Sequence, residues 1–286
     1  MLHVRIVLAG YRARLVPEPL IDRARTSLRL RALDLRDRYL TRPPRADRLV
    51  PPRRLDFVGH SDFVETGDEF LRHFVEIAGL RRDERVLDVG CGIGRMARPL
   101  ARHLSPHGSY DGFDVNRDGV AWCARRYRRH PNFRFQVADL FNRRYNPEGS
   151  LPAREYRFPY DDGSFDLVIC TSVLTHLLEG DADHYLAEIA RVLAPGGRAL
   201  LTFFLLDDDS RAAIAQQRAG LPFLDADEPV AVVSDDLPEE AVAYDRGWLD
   251  AALARHGLAT RAVHPGSWRG GDDGRSFQDL VLASRP

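Results

Sequence analysis

Three glycines at alternate positions follow a short apolar run that contains a carboxylate. Residues 86–94 read VLDVGCGIG, and an apolar-periodic segment opens at Arg95. Glycines remove Cβ atoms where backbone must approach a ligand, and the N-terminus of the helix that follows favours an anionic group. Strand, glycine turn and helix in this order predict a nucleotide-binding crevice at the carboxyl end of a first parallel strand.

The spacing of these glycines separates two classes of ligand. A dinucleotide fingerprint reads G-x-G-x-x-G, whereas here Gly94 comes one residue early and Arg95 stands where the third glycine belongs. A ligand bound at this turn would therefore have less need of a backbone site for a pyrophosphate group. Asp88 precedes the first glycine by two residues, where it could organise the turn and, directly or through water, an ammonium group.

Two further carboxylates end predicted strands. Residues 108–115 predict a second strand ending at Asp114, whose carboxylate could accept hydrogen bonds from both hydroxyls of a ribose. Residues 133–138 predict a third strand just before Asp139, which is placed to receive an adenine amino group. The alternative interpretation is that these carboxylates cap strand ends without a ligand.

The ordered set of motifs resembles a known family. Residues 86–204 are similar to a class I S-adenosylmethionine-dependent methyltransferase of type 11; the matching pieces are VLDVGCGIG, GFDV, VADLF, FDLVICTSVLTHL and EIARVLAPGGRALLT. The resemblance implies that S-adenosylmethionine is the cofactor. It also implies that the glycines line the methionine part, Asp114 the ribose and Asp139 the adenine. The residues expected at the cofactor are Asp88, Gly90, Cys91, Gly92, Gly94, Asp114, Val115, Asp139, Leu140 and Cys170.

The fold expected from this resemblance is α/β. It is a doubly wound, seven-stranded Rossmann-like sheet with the last strand antiparallel, an N-terminal helical arm and a cap built from insertions. Apolar periodicity predicts helices at residues 66–79, 118–130, 181–193, 210–219 and 246–256. Residues 165–170 and 195–204 predict the fourth and fifth strands, and 258–263 and 277–282 a closing hairpin.

The chain divides in composition near residue 56. Residues 1–56 carry fourteen arginines against six carboxylates and contain a helical pattern at 18–40 followed by a Pro/Arg connector. This arm either packs on the catalytic domain or on a second subunit, as in a homodimer, or attaches to an anionic membrane surface or a phosphorylated glycan carrier. Residues 57–286 are expected to form the methyltransferase domain, with insertions at 140–164 and 207–244 that cap the acceptor site.

Composition excludes several classes of protein. The 286 residues carry a net charge of −1, which argues against a general nucleic-acid binder. The three cysteines have no paired or metal-like spacing, and no metal is expected to be held by the site. No apolar run is long enough to span a bilayer, and Arg5 interrupts the one candidate signal-peptide core, so a cytoplasmic protein is expected.

His176 is the candidate catalytic residue. It follows the fourth strand, on the side of the crevice to which the transferred methyl group should point. A histidine there could act as general base for a hydroxyl nucleophile, with His60 and His264 as the next candidates. The alternatives are that His176 packs against the cofactor pocket, or that a divalent metal performs the deprotonation.

The acceptor wall is expected from two loops. Residues 140–164 occupy a connection that is usually far shorter, and they mix tyrosines with amide and guanidinium side chains that suit a polyhydroxylated acceptor. Trp268, flanked by glycines in the loop 264–273, is a candidate stacking platform for a sugar ring, or else a plug at the sheet edge. The predicted acceptor residues are His60, Tyr145, Asn146, Tyr160 and Trp268.

These features predict an O-methyltransferase. The acceptor is expected to be a small molecule or a glycan, and the reacting group a sugar hydroxyl in a glycan, glycolipid or glycosylated metabolite. A looser similarity to sugar O-methyltransferases, in the arm, the long loop and the SFQDLVLA ending, favours this acceptor. The alternatives are an O-methyltransferase of a less polar natural product, and a cofactor-binding protein that has lost turnover.

Overall fold

The computed structural model describes residues 47–52, 55, 62–271 and 274–286. The chain divides into two compact units, Met1–Phe57 and Val58–Pro286. The predicted arm helix at 18–40 and the candidate residue His60 lie outside the described residues.

The described residues of the second unit form twelve strands and six α-helices. The strands are β1 (Arg85–Val89), β2 (Ser109–Asp114), β3 (Phe133–Val137), β4 (Leu140–Phe141), β5 (Leu151–Pro152), β6 (Phe165–Cys170), β7 (Leu193–Phe203), β8 (Leu205–Leu206), β9 (Val230–Val232), β10 (Val242–Asp245), β11 (Ala259–His264) and β12 (Asp279–Ser284). The helices are α1 (Phe63–Glu76), α2 (Ala97–His103), α3 (Arg117–Arg126), α4 (Glu179–Val192), α5 (Asp208–Ala215) and α6 (Arg246–Arg255).

Seven strands make the main sheet, in the order β11-β12-β7-β6-β1-β2-β3. The five strands from β7 to β3 pair in parallel, whereas β12 is antiparallel to both β7 and β11. The prediction of a doubly wound Rossmann-like sheet with an antiparallel last strand is confirmed. The carboxyl ends of β1, β2, β3 and β6 therefore meet at one edge, which is where the candidate residues follow in the sequence.

Helices cover both faces of the sheet. Leu186 and Ile189 of α4 and Leu249 of α6 pack in one cluster with the sheet residues Leu87 and Val168. On the opposite face, an aromatic stack covers β2 and β3. Its members are Tyr110, Phe133, Phe135 and Tyr127, the last from the 3₁₀ turn Tyr127–Arg129 that continues α3. Burial on both faces explains why β1 reads as a continuous apolar run interrupted only by Asp88.

Side-chain caps fix where four helices begin, among them α5, where Asp207 accepts a hydrogen bond from Ser210 N. Asp62 accepts hydrogen bonds from Val64 N and Glu65 N at the start of α1, and Asn116 accepts one from Gly119 N at the start of α3. Asp245 plays the same part for α6. Such caps satisfy backbone donors that have no partner inside the helix. None of the helices in the described ranges is long and apolar enough to cross a membrane.

Both insertions contain more regular structure than expected. Residues 207–244 were expected to hold one helix and then irregular chain, but they contain α5, the strands β9 and β10, and a 3₁₀ turn, Pro238–Glu240. β9 and β10 join β8 in a separate three-stranded sheet. In residues 140–164, β4 and β5 pair in parallel. The strands have two to four residues each, which is too short for a periodic signal in the sequence.

Candidate functional site

The glycine turn after β1 has the backbone that only glycine adopts readily. Gly90, Gly92 and Gly94 have φ values of 81°, 54° and 80°. The amides of Gly90 and Cys91 both donate to the carbonyl oxygen of Phe113, at 3.0 Å each, which ties the turn to the end of β2. A Cβ atom built on Gly92 meets no atom within 4 Å, so this side of the turn faces open space. A ligand can therefore approach the backbone there.

Asp114 is held in place by the glycine turn itself. Its Oδ2 accepts from Gly92 N at 2.7 Å, and its Oδ1 accepts from Asn116 N at 2.7 Å. Burial raises the pKa of Asp114, and these backbone donors oppose the rise. Each carboxylate oxygen has a second lone pair, so the group keeps acceptor capacity for the hydroxyls of a ribose.

Asp88 lies fully buried beneath the turn. Its Oδ2 accepts a hydrogen bond from the Tyr110 hydroxyl at 2.6 Å, while Oδ1 is buried and has no hydrogen-bond partner among the described residues. Burial raises the pKa of Asp88 to about 7. An unpartnered carboxylate oxygen in a buried position is costly, and a cationic group nearby would offset that cost.

The other predicted cofactor residues differ in exposure. Asp139 is half-exposed; it accepts from Arg117 Nη2 and from Ser150 Oγ, both at 2.9 Å, and these contacts lower its pKa. Cys91, Leu140 and Cys170 are buried, and Val115 is half-buried against the core. These residues lie at or just after the carboxyl ends of β1, β2, β3 and β6. Their assignment to individual parts of a cofactor stays a prediction.

These residues fit a ligand that carries an ammonium group and a ribose. The open side of Gly92 gives room for it, Asp114 offers two oriented acceptor oxygens, and Asp88 offers an acceptor without a partner. A dinucleotide would require a third glycine where Arg95 stands.

His176 lies at the end of the 3₁₀ turn Leu174–His176, which follows β6. Its Nδ1 is 3.0 Å from the carbonyl oxygen of Glu239, and its Nε2 is 3.2 Å from the hydroxyl of Tyr145. A carbonyl oxygen only accepts, so Nδ1 carries the proton and Nε2 accepts from Tyr145. Burial and, to a smaller extent, the nearby Arg144 guanidinium lower the pKa of His176 to about 4, so the ring is neutral at pH 7.

Tyr145 is brought to His176 by a tight turn. The backbones of Asn142 and Asn146 exchange two hydrogen bonds, at 3.1 and 2.9 Å, which close the turn. The Asn142 Oδ1 accepts from Tyr145 N at 2.9 Å, and its Nδ2 donates to the carbonyl oxygen of His176 at 3.3 Å. Two residues predicted for different roles, His176 and Tyr145, are thus in direct contact.

Trp268 cannot be the predicted sugar platform, because its side chain is completely buried. Its ring packs edge-on against Phe204 and Phe223, with centroid distances of 5.3 and 5.5 Å. Its Nε1 donates to Asp279 Oδ2 at 2.9 Å. The flanking glycines suggested an exposed ring, whereas the structure shows the plug that was the alternative.

Tyr160 is partly buried and packs against the core. Its ring packs edge-on against Phe165, the first residue of β6, at a centroid distance of 4.9 Å, and lies 6.4 Å from the ring of Phe113, near the carboxyl end of β2. Its place in the acceptor site stays a prediction.

The last two candidates have structural surroundings of their own. Asn146 uses its Nδ2 to hold the carbonyl oxygen of Leu140 at 2.8 Å, inside the turn that presents Tyr145. His264, at the end of β11, is three strand spacings, about 14 Å, from β6. Within the described ranges, no three His, Cys, Asp or Glu side chains are grouped to hold a metal ion.

Of three partners that the sequence reasoning missed, two carry no usable signal in the sequence. Glu239 contributes a backbone carbonyl, which any residue has. Asn142 acts through an Asx turn that many loops contain. Tyr110 could have been found, since a tyrosine in a buried strand needs a hydroxyl partner and the parallel register places it on the Asp88 face.

The similarity to known proteins covers the part of the chain in which these residues lie. Residues 86–197 match the profile of a family described as a methyltransferase domain. A phthiotriol/phenolphthiotriol dimycocerosates methyltransferase of Mycobacterium ulcerans is 36% identical over 135 residues, which cover 45% of this chain and 39% of the relative. A fatty-acid O-methyltransferase of Mycolicibacterium smegmatis is 36% identical over 119 residues, which cover 42% of this chain and 36% of the relative. The chain thus spans well under half the length of these relatives.

A solved structure shows the same fold over a longer stretch. The protein PH0226 of Pyrococcus horikoshii superposes with a TM-score of 0.53 at 17% identity, covering 87% of this chain and 99% of that one. At this identity the likeness concerns the fold alone.

Proposed function

We propose a function for a chain that carries a class I S-adenosylmethionine-dependent methyltransferase domain: transfer of a methyl group to a hydroxyl of a largely apolar small molecule, such as a lipid or polyketide. S-adenosylmethionine, the cofactor of this class, supplies an electrophilic methyl group on a positively charged sulfur. The residues of this chain bind and orient that cofactor, position the acceptor oxygen and remove its proton.

The cofactor-binding part rests on the glycine turn and two carboxylates. Asp114, fixed by Gly92 N and Asn116 N, is proposed to accept the ribose hydroxyls. Asp88 is proposed to face the amino-acid part, where an ammonium group would use the buried Oδ1. Asp139 is proposed for the adenine amino group, with Arg117 and Ser150 fixing its carboxylate.

His176 is proposed to receive the proton of the acceptor hydroxyl. Its Nδ1–H is held by the Glu239 carbonyl, so the only basic ring nitrogen is Nε2. A neutral imidazole with a low pKa is a weak base. It suffices here because a hydroxyl oxygen becomes strongly acidic once it bonds to the methyl carbon.

One observation carries the choice of acceptor. Large apolar side chains stand exposed on the two segments that meet at His176: Phe141 is 44% exposed, Tyr145 38% and Leu178 39%. Phe141 precedes Asn142, which contacts His176, and Leu178 follows His176 by two residues. Exposed apolar groups gathered beside a reactive side chain suit an apolar acceptor. The two relatives, named for lipid and fatty-acid substrates, support the same class.

A sugar acceptor has less support. Of the predicted sugar wall, Trp268 is buried, Tyr160 is partly buried against the core and His60 is outside the described residues. Tyr145 and Asn146 alone offer a small polar surface.

The test is a direct screen with radiolabelled methyl groups on S-adenosylmethionine. Purified protein is incubated with long-chain alcohols, long-chain fatty acids, hydroxylated polyketide lactones, and free and lipid-linked hexoses. We expect labelled ethers or esters from the apolar acceptors and none from the free sugars. If only the hexoses were labelled, the result would contradict an apolar acceptor and support a sugar acceptor.

The alternative of a cofactor-binding protein without turnover is separated by one control. S-adenosylhomocysteine that binds in calorimetry, together with no labelled product from any acceptor and no slow loss of S-adenosylmethionine, would favour that alternative. Product from a single acceptor would exclude it.

A further inference from the structure

We propose that the Tyr145 hydroxyl is a catalytic group that relays the acceptor proton to His176, so that the acceptor touches tyrosine and not histidine. This inference rests on the proposed function, since it requires a hydroxyl acceptor. It differs from that proposal in its consequence, because it moves the point of contact from the imidazole to a phenol in the long loop.

The direction of the hydrogen bonds sets the direction of the relay. Nδ1–H of His176 donates to the Glu239 carbonyl, so Nε2 can only accept, and its donor is the Tyr145 hydroxyl at 3.2 Å. A phenol oxygen that donates its proton can still accept one. An acceptor hydroxyl that reaches Nε2 directly would have to displace Tyr145. An acceptor hydroxyl that donates to the Tyr145 oxygen instead adds one more hydrogen bond to the series that runs from Tyr145 through His176 to the Glu239 carbonyl.

The two side chains are held for this contact. The rings of Tyr145 and His176 meet edge-on with centroids 5.2 Å apart, and Asn142 binds both the Tyr145 amide and the His176 carbonyl. The guanidinium of Arg143 reaches the Asp236 carbonyl in the other insertion, which ties the loop to the segment that carries Glu239. A proton relay requires such fixed distances, because the hydrogen bond along which the proton moves weakens steeply as it lengthens.

Charged neighbours favour the neutral resting state. Arg144 lies over the Tyr145 ring, with its Cζ 5.4 Å from the centroid, and it disfavours a second cation on His176. Tyr145 is 38% exposed, so an acceptor can reach its ring and hydroxyl from solvent. The exposed phenol thus lies next to the half-buried imidazole.

Atoms and charges balance in the step. The acceptor oxygen forms one bond to carbon from its lone pair and loses one bond to hydrogen. That hydrogen moves to Tyr145 Oη while the Tyr145 proton moves to His176 Nε2. The carbon–sulfur bond breaks with its electron pair left on sulfur, so the positive charge lost at sulfur reappears on the imidazolium. The low pKa of His176, about 4, then returns this proton to water at neutral pH.

Two matched acceptors test the relay. Dodecanol has a proton to lose, whereas dodecanoate is already ionised at pH 7.5 and has none. We expect Tyr145→Phe and His176→Asn each to lower kcat for dodecanol by about 10²- to 10⁴-fold with KM changed less than about threefold. Neither variant should slow methylation of dodecanoate appreciably. The double variant should lose no more than the stronger single variant, because both act in one step.

Control variants and contrary outcomes separate the relay from other roles. Tyr156 lies in the same loop, and its ring packs on Phe113. Tyr156→Phe removes only the hydroxyl and should leave both reactions unchanged. A rise in KM without a fall in kcat would make Tyr145 an acceptor contact only and overturn the relay. Equal losses on dodecanol and dodecanoate would show a structural role and overturn it too.

A spectroscopic measurement tests the relay without turnover. In protein labelled with ¹⁵N-histidine, His176 should show the Nδ1–H tautomer, and Tyr145→Phe should shift the Nε2 resonance of that ring. An Nε2–H tautomer in the wild type overturns the relay even if methyl transfer occurs. If neither probe is methylated, the proposed function fails for this acceptor class, and the tautomer alone then supports or overturns the hydrogen-bond chain.

Discussion

The indole of Trp268 and the carboxylate of Asp279 form one buried hydrogen-bonded unit. Asp279 is completely buried and accepts four hydrogen bonds: Oδ2 from Leu205 N and Trp268 Nε1, Oδ1 from Gly266 N and Arg269 Nε. The carboxylate thereby joins β8, β12 and the turn between β11 and β12. Such a unit stabilises the edge of the domain and leaves no face of Trp268 for a ligand.

Trp268→Phe should therefore lower the free energy of unfolding and leave acceptor binding unchanged. The change removes one donor to a buried carboxylate and some packing volume, which together cost about 1–3 kcal/mol. Urea denaturation measures the loss. Trp248→Phe is the matched control, because its indole donates to Glu179 at the surface, and it should cost well under about 1 kcal/mol. A variant of Trp268 with full stability and a raised acceptor KM would contradict this account.

Asp114→Ala should weaken binding of S-adenosylhomocysteine. The variant loses an acceptor held by Gly92 N and Asn116 N, and the expected loss is about 1–3 kcal/mol in binding free energy, measured by calorimetry. Asp118→Ala, an exposed carboxylate in the first turn of α3, is the control and should bind with wild-type affinity. Unchanged affinity of the Asp114 variant would remove this residue from the ribose role.

Asp88→Asn should change how stability depends on pH. The pKa of Asp88 is raised to about 7, above its value near 4 in an unfolded chain, so the native state holds an extra proton between about pH 4 and 7. Its contribution to stability is therefore fully present below pH 4 and is lost as the pH rises through 7. The neutral amide keeps an acceptor for Tyr110 and should make the ligand-free protein more stable than wild type at pH 8, by about 1–4 kcal/mol.

The same substitution should act in the opposite direction on ligand binding. An amide cannot pair with an ammonium group as a carboxylate does, so S-adenosylhomocysteine should bind more weakly to Asp88→Asn at pH 8. Chemical denaturation and calorimetry on one preparation measure both effects. A variant less stable at pH 8 than at pH 5, like wild type, would show that Asp88 does not control this dependence.

His176→Asn should remove an acid-side loss of stability. The pKa of His176 falls from 6.5 to about 4 on folding, so between these values the unfolded chain binds a proton that the native state does not. Wild-type stability should thus fall as the pH drops from about 6.5 to 4, and the variant should fall less over this window. His107→Asn, at an exposed position, is the control and should keep the wild-type slope. Identical slopes in all three proteins would contradict a neutral His176 imidazole in the native state.

The parallel sheet was predictable because its signals are local. Residues 165–170 were predicted as a strand, and β6 has these bounds, since a buried apolar run is closed by a glycine turn before it and polar residues after it. The carboxylates Asp88, Asp114 and Asp139 follow from the same reasoning, because parallel strands bring their carboxyl ends to one edge.

The acceptor side was predictable only in part, because its contacts join distant segments. The sequence singled out His176 and Tyr145 separately, but their contact depends on an Asx turn at Asn142 and on the backbone of Glu239. Trp268 was misplaced because it lies in the turn between β11 and β12, its partner Asp279 begins β12, and no spacing rule links the two. Residue type and flanking glycines do not determine where such a side chain lies. Its position depends on which buried polar group it pairs with in the folded chain.

Both insertions contact His176. The glycine turn, in contrast, follows a strand of the parallel sheet. Loop 140–152 supplies Tyr145 and Asn142, and segment 237–241 supplies the Glu239 carbonyl. Lineages could therefore exchange these two segments, and with them the acceptor, without altering the strands that hold the carboxylates. The exchange is constrained at one point: a transplanted loop must carry an amide where Asn142 stands, or it loses its anchor to the His176 carbonyl. For engineering, Asn142 is the residue to keep and Phe141 and Tyr145 are the ones to vary.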